Sequence, residues 1–421
     1  MVEADIETYA AEAGLAARQN RWADAERLWR TVRALDPNHP QALYSLAMHA
    51  WQRGELTEAL ELSALANVAA PNDPMISLSR AIFLRDSGDS SGELAAIDDT
   101  LKIDAYYLPA LIAKAVFFEG QGQKTTAAIL YRNALKVAPP EAHWPQSLRP
   151  QLLHARQMER AYSAAFYEHL ICELGTEIQA LGGHDSGRWT EASSIMAGRS
   201  KPYLADCNQL YIPRMPAIPF YDRSAFSWVS DLEAQTAAIR DELQTALNNS
   251  AGKFTPYIEY APGAPVNQWA NLNHSRNWST FKLWSSGTPV HENLDQCPNT
   301  QAALEAVELA DIDGLCPNAM FSCLAPHTEI PPHHGETNAR LIVHLPLIVP
   351  ENCIYRVGFE TRQWEVGKTL IFDDTLEHTA RNDSDQLRVV LIFDIWNPLL
   401  SPHERDLVRG LAKAARSFNF D

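Results

Sequence analysis

The chain has 421 residues, enough for two or three domains of roughly 150 residues each. Hydrophobic residues make up 46% of it, so a large core can form, and the formal net charge of −17 speaks against nucleic acid and anionic membrane surfaces as partners. The six cysteines (Cys172, Cys207, Cys297, Cys316, Cys323, Cys353) form no C-x-x-C pair and no zinc spacing, as expected of free thiols in a reducing compartment. MVEADIETYA has neither a basic region nor an apolar one, and no run of about 18 apolar residues follows, so the reading is a cytoplasmic chain without leader or membrane span.

A step of 34 residues runs through the first third. Ala13, Ala47, Ala81 and Ala115 follow it, and so do Asn20, Gly54, Gly88 and Gly122. Ala25, Ala59, Glu93 and Ala127 keep the same step. Pro37, Pro71 and Pro139 close three units, with Ala105 at that place in the third. Small residues at two phases let a pair of helices approach closely, Gly or Asn supplies the turn, and proline ends the second helix. One such pair cannot bury its apolar face alone, but four stacked pairs can. Residues 4–140 resemble the tetratricopeptide repeat, with a degenerate third unit that has Glu93 and Thr100 where the family prefers alanine. The resemblance implies an all-α superhelix that docks a peptide or protein partner. The alternative is an array that only dimerises or stiffens the chain.

PPEAHWPQSLRP, residues 139–150, holds four prolines and cannot be one helix. The helical period returns from Leu152 to Leu181 and points to a cap at Gly182-Gly183. Residues 184–219 read as irregular, and YIPRMPAIPF as extended chain over a domain surface. A further helix is predicted at about Phe226–Leu247, with Asp231, Glu233 and Arg240 on a solvated face. The expected organisation is a repeat domain over 4–140, a helical linker over 141–204 and a β-rich domain over 205–410.

From about residue 252 the pattern changes to short β-branched and aromatic runs: FKLW, ARLIVHLPLIV, CIYRVGF, KTLIF and RVVLIFDIW. Turn signals such as SSG, PENC, EVGK and RNDSD separate them, which predicts a β sandwich or barrel of jelly-roll type. His333 lies just before one predicted strand and His378 just after another, where side chains can enter a barrel mouth. Arg388 opens an otherwise apolar strand, a costly place for a cation unless a carboxylate meets it. Neutral imidazoles suit iron, zinc or copper, and a buried arginine suits a dicarboxylate. This is the chemistry of a non-haem iron oxygenase using 2-oxoglutarate and O2. The usual ligand set adds an acid two residues after the first histidine, and here that residue is Gly335. Either the site is inert or binds another metal, or two protein ligands hold the metal and water completes its sphere.

The strings FSCLAPHTEIPPHHGETNARLIVHLPLIVP and CIYRVGFETRQWEVGKTLIFDDTLEHTARNDSDQLRVVLIFDIWNP resemble the aspartyl/asparaginyl β-hydroxylase family over about residues 205–410. The family's founding member also has glycine in place of the acid, so the resemblance favours the two-ligand alternative. It implies a double-stranded β-helix with Fe(II) held by His333 and His378. Asp374 is the acid expected to position metal-bound water, and Ser322 and Arg388 are expected to hold the distal carboxylate of 2-oxoglutarate. His344 is expected near its C1 carboxylate. Arg340 is expected to receive a substrate or co-substrate carboxylate, and Ile342 replaces a family arginine. His334 carries no matching role and reads as surface or substrate rim, Asp373 reads as either a turn residue or a site residue, and the tryptophans read as core or cleft walls. The implied reaction is hydroxylation of an Asp or Asn side chain at Cβ in a peptide or protein. The rivals are a hydroxylase of a free amino acid or acyl chain, and a repeat adaptor fused to an inert β domain.

Overall fold

The computed structural model describes residues 2–181 and 183–418. Two compact units emerge: residues 1–174 with 196–199, and residues 175–195 with 200–421. The expected cap at Gly182-Gly183 rests partly on Gly182, which lies outside the described residues.

The first unit begins with paired helices: α1 (Val2–Arg18) with α2 (Trp22–Leu35), α3 (Pro40–Gln52) with α4 (Leu56–Ala69), α5 (Pro74–Asp86) with α6 (Ser90–Ile103) and α7 (Leu108–Gly120) with α8 (Lys124–Val137). Asn20, Gly54, Gly88 and Gly122 all take the left-handed conformation between paired helices, with φ from 59° to 82°. Only that conformation reverses the chain so tightly, which is why the step selects Gly or Asn there. Ala13, Ala47, Ala81 and Ala115 are buried at the helix contacts, as are Ala25, Ala59 and Ala127. Thr100 is also buried, but its hydroxyl bonds Ser77 Oγ at 2.8 Å and the Ala96 carbonyl at 2.9 Å. This is an all-helical tetratricopeptide-type array, as its period predicts.

Helix α9 (Arg149–Leu181) follows a single 3₁₀ turn at Glu141–His143. Helix α10 (Gly183–Met196) occupies part of the segment that reads as irregular. Its Gly, Ser and Thr residues weaken the helical signal in the sequence. Thr190 and Ser193 donate back to the Ser186 and Trp189 carbonyls at 3.0 and 2.9 Å, so their hydroxyls compete little with the helix. The helix predicted near Phe226–Leu247 is two helices, α11 (Val229–Ala234) and α12 (Thr236–Asn249). Asp231 and Arg240 are exposed as expected, but Glu233 is not on a solvated face. It accepts from the Thr369 amide at 2.8 Å and from Arg223 at 2.7 Å.

The second unit is built on two antiparallel sheets. The larger holds β1 (Thr255–Pro256), β2 (Trp278–Ser285), β3 (Thr288–Pro289), β4 (Ala319–Leu324), β6 (Arg340–Ile348), β9 (Leu370–Phe372) and β11 (Arg388–Trp396). Its order is β1-β2-β4-β11-β6-β9, with β3 on β2. The smaller holds β5 (Thr328–His333), β7 (Cys353–Val357), β8 (Glu360–Arg362) and β10 (His378–Asn382), in the order β5-β10-β7-β8. Both faces of the large sheet are covered. Phe281, Phe321, Val343 and Leu391 pack on one side with Leu232, Ile239, Leu243 and Leu304 from α11, α12 and α14 (Pro298–Glu305). Trp278, Leu324, Ile342 and Val390 pack on the other with Ile330, Tyr355 and Ala380 of the small sheet. Hence β6 and β11 read as largely apolar runs rather than alternating ones, interrupted by His344 and Asp394 and each opened by an arginine. The short α13 (His291–Leu294) and the C-terminal α15 (Pro402–Ser417) complete the unit, and a capping box from Ser401 and Glu404 starts the latter. Among the described residues no helix is long and apolar enough to cross a membrane.

Candidate functional site

Period-2 alternation sorts the residues of the large sheet into two sets. In β11, Val389, Leu391 and Phe393 enter the core shared with the helices, so Arg388, Val390, Ile392 and Asp394 face the small sheet. In β6, Leu341, Val343 and Leu345 go to the helices, so Arg340, Ile342 and His344 face the small sheet. In β4 the same rule turns Met320 and Ser322 inward. The polar members of these strands therefore collect between the sheets, where a cavity of about 440 Å³ contains them together with His333, Asp374 and His378.

His333 ends β5 and His378 opens β10, and the two are direct partners in the antiparallel ladder. Their ring centroids are 3.9 Å apart. His333 thus precedes β6 and His378 follows β9, as the sequence predicts, and each also ends or opens a strand that the sequence does not show. Pro331 and Pro332 hid β5, which tolerates them because it is the sheet edge. His333 Nδ1 donates to the Pro331 carbonyl at 2.8 Å, and His378 Nδ1 donates to the Leu376 carbonyl at 3.0 Å. A carbonyl can only accept, so each Nδ1 carries the proton and each Nε2 keeps a free lone pair. Burial holds both rings neutral, pushing His333 down to about 3 and His378 down to about 4. Two adjacent unprotonated nitrogens with fixed tautomers form a ready ligand pair. Among the described residues no third His, Cys, Asp or Glu completes a metal-binding group with them.

Gly335 explains the missing acid. A Cβ at this position would collide with the Asp374 carboxylate. The Gly335 amide donates to the Asp374 carbonyl at 2.7 Å, which pins the two segments together. An acid from a different part of the chain thus occupies the space that a side chain at position 335 would need. Arg340 orients it, with Nη1 2.9 Å from Asp374 Oδ1. Arg340 also lies 3.4 Å from Asp394 and 3.7 Å from Glu336. Burial alone would lower its pKa, but the surrounding carboxylates hold it well above the ordinary value. Three acids therefore share this guanidinium, the residue expected to receive a substrate or co-substrate carboxylate.

Arg388 has the opposite environment. It is 1% exposed, yet among the described residues no Asp or Glu forms an ion pair with it. Its guanidinium lies 4.5 Å from the Trp364 ring centroid, Nη1 makes one long 3.5 Å contact with the Ser322 carbonyl, and Nε has no hydrogen-bond partner. Burial pulls its pKa from 12.5 down to about 10. Ser322 Oγ accepts from Trp278 Nε1 at 3.1 Å and keeps its own proton to donate. His344 Nδ1 accepts from Trp364 Nε1 at 3.2 Å, so the neutral ring carries its proton on Nε2, the reverse of the other two histidines. Burial, with Arg388 nearby, keeps His344 neutral. The cavity thus offers a cation and hydroxyl and imidazole donors beside two bare nitrogens.

His334 sits on the rim, its Nδ1 2.8 Å from the Thr375 carbonyl. Asp373 caps its own turn, accepting from Thr375 Oγ1 at 2.6 Å and from its amide at 3.0 Å, while burial pushes it up to about 6. Trp269 and Trp278 wall the cavity, 5.0 and 6.3 Å from the His333 ring. Trp284 and Trp396 pack in the cores. The sequence reading missed Asp394, Glu336, Tyr355 and Lys282 as cavity residues and Trp364 as the residue under Arg388. Alternation within β11 could have placed Asp394 on the same face as Arg388, but the β6 register had to be known to bring it to Arg340, and the β4 and β2 registers to locate Lys282.

Residues 233–398 match the profile of the aspartyl/asparaginyl beta-hydroxylase family, and residues 11–74 match that of a tetratricopeptide repeat. The chain is 33% identical over 248 residues to the aspartyl/asparaginyl beta-hydroxylase of Mus musculus, a stretch covering 57% of this chain and 30% of that protein. It is 36% identical over 187 residues to the ornithine lipid ester-linked acyl 2-hydroxylase of Rhizobium tropici, covering 44% of this chain and 62% of that one. A thermophilic TPR protein of Thermus thermophilus aligns with a TM-score of 0.32 and 16% identity over 45% of this chain and 99% of that one. The curated relatives are thus matched over less than two thirds of their own length. With its paired helices and the His333, His378 and Arg388 cavity in place, this chain joins a tetratricopeptide region to a segment, residues 233–398, that matches the aspartyl/asparaginyl beta-hydroxylase profile.

Proposed function

We propose that the β-rich unit is an Fe(II)- and 2-oxoglutarate-dependent dioxygenase that hydroxylates an Asp or Asn side chain of a peptide or protein, which the repeats help to dock. The observation that carries this reading is Arg388, a fully buried guanidinium without an acidic partner among the described residues. A dicarboxylate co-substrate would supply that partner, and a bidentate contact would also satisfy the orphaned Nε–H. His333 and His378 would hold the metal through Nε2, and their Nδ1–H bonds fix both rings in the required tautomer. When bound, Fe(II) would supply oxygen activation coupled to decarboxylation of the co-substrate to succinate. Asp374, held by Arg340, positions a proton-bearing neighbour such as water beside the two nitrogens. Ser322 and the His344 Nε2–H offer donors to carboxylate oxygens. Trp269, Trp278 and Tyr355 line the cavity, and their apolar rings lower the local dielectric and so strengthen these contacts.

A second reading, hydroxylation of an acyl chain, draws on the apolar wall of Met320, Ile342 and Ile392 and on the Rhizobium relative. The test is succinate release from 2-oxoglutarate with Fe(II) and ascorbate in air, comparing wild type with His378→Ala. Peptides containing Asp or Asn, and separately an acyl amide, are added in turn. Succinate that disappears in the variant is the expected result, and the additive that accelerates it decides between the two substrates. Wild type that neither binds iron nor releases succinate would leave a repeat adaptor with an inert β domain.

A further inference from the structure

We propose that Lys282 binds a carboxylate of the substrate and so sets the specificity of the proposed dioxygenase site, on which this inference rests. An acidic substrate needs a free cation in the cavity, and the obvious candidates are occupied or missing. Arg340 is shared by Asp374, Asp394 and Glu336. Position 342, two residues along the same strand face, is an isoleucine. Arg388 lies at the opposite end of β11 from Asp394, in the part of the cavity assigned to the co-substrate.

Lys282 is half-buried and lines the same cavity. Alternation in β2 sends Phe281 and Leu283 to the helix-side core, which turns Lys282 towards the small sheet. Among the described residues it has no acidic partner, unlike Arg340. In register it lies opposite Met320, which pairs with Ile392, which pairs with His344. Lys282 and His344 therefore end one row across four strands, roughly 14 Å apart at the backbone. Both line the cavity, and Met320 and Ile392, which lie between them in the row, line it too. A short carbon chain with a terminal carboxylate fits this arrangement: apolar contacts for its methylenes and a point charge for its end.

The test uses full-length protein and three probes: N-acetyl-aspartate methylamide, N-acetyl-asparagine methylamide and N-acetylalanine. The third carries only a chain-terminal carboxylate. Binding is followed by tryptophan fluorescence, without metal and with Mn(II) plus 2-oxoglutarate, for wild type, Lys282→Met and Lys282→Arg. Wild type is expected to bind one of the two carboxylate probes at least about tenfold tighter than the asparagine probe. Which one it prefers tells a side chain from a chain terminus. Lys282→Met should remove the preference and leave asparagine-probe binding unchanged, whereas Lys282→Arg should keep it. Equal binding of all three probes, no binding of any up to about 10 mM, or a preference that survives in Lys282→Met would overturn the proposal. The same titrations report 2-oxoglutarate binding, which Lys282→Met should retain. A wild type that fails to bind 2-oxoglutarate would refute the proposed function instead, and the metal-free probe titrations would still decide the role of Lys282.

Discussion

Arg388 gives the sharpest test of the reasoning, because the same residue should weaken the empty protein and secure the co-substrate. The fall of its pKa from 12.5 to about 10, at about 1.4 kcal/mol per pH unit, corresponds to a burial penalty on the order of 3 kcal/mol. The contact with Trp364 returns about 1–2 kcal/mol. Arg388→Met removes both while keeping most of the side-chain volume, so the ligand-free variant should be more stable by about 1–2 kcal/mol. For a unit of this size that is a rise in Tm of roughly 4 °C. The assay is thermal unfolding followed by near-UV circular dichroism, whose tryptophan signal from Trp278 and Trp364 reports on the β-rich unit. Adding 2-oxoglutarate with Mn(II) at about 100 times Kd should stabilise wild type by about 2.7 kcal/mol and leave Arg388→Met unmoved. A ligand-free variant less stable than wild type would show that the arginine already has a structural partner. An equal response of both proteins to 2-oxoglutarate would refute the assignment outright.

Acid should expose the two histidines proposed as metal ligands. Both are neutral when folded and ionise at ordinary values, near 6.5, when unfolded, so the unfolded chain binds more protons below pH 6.5. Their contribution to stability is therefore lost as pH falls from 6.5 towards 4, by roughly 5 kcal/mol in total at pH 4.5, and levels off below about 3. Urea unfolding across this range should show that slope in metal-free wild type, and a His333→Gln/His378→Gln double variant should flatten it; an equal slope in both would count against the assignment. Gly335→Ala drives a methyl into the Asp374 carboxylate and should lower succinate release at least about 100-fold and stability by about 1–3 kcal/mol. Activity close to wild type would mean that Asp374 is free to move. In the repeats, burial raises the pKa of Glu93, which stands at a phase otherwise filled by buried alanine. Glu93→Ala should raise the urea midpoint of the helical unit by about 0.5–1 kcal/mol equivalent, and an unchanged or lower midpoint would assign the carboxylate a partner of its own.

The repeat region was legible because its constraints are local. A left-handed turn admits only Gly or Asn at low cost, and a close helix contact admits only small side chains, so the step of 34 residues records geometry directly. The apolar runs of β6 and β11 were legible for a similar reason, since both faces of those strands are buried. His333, His378, Arg388, Ser322, His344, Asp374 and Arg340 were all named from sequence strings, and the fold brings all seven to one cavity. The strands β5 and β10 that carry the two histidines stayed hidden: Pro331-Pro332 erase the strand signal of β5 at the sheet edge, and β10, although paired on both sides, is short and mostly polar.

What each residue does there depended on contacts between segments far apart in the chain. Gly335 reads as a missing acid until Asp374, 39 residues on, is found filling its space. Arg340 and Arg388 are alike as buried strand-end cations in the sequence. Three carboxylates brought in from a loop and two other segments quench the first, whereas none reaches the second among the described residues. The His344 tautomer follows from the Trp364 indole, which the fold brings to it, whereas those of His333 and His378 follow from carbonyls two residues back in the chain. Alternation along a strand is a property of the local backbone and can be read from residue order. Charge compensation is a sum over everything nearby in space, and only the tertiary structure decides what is nearby.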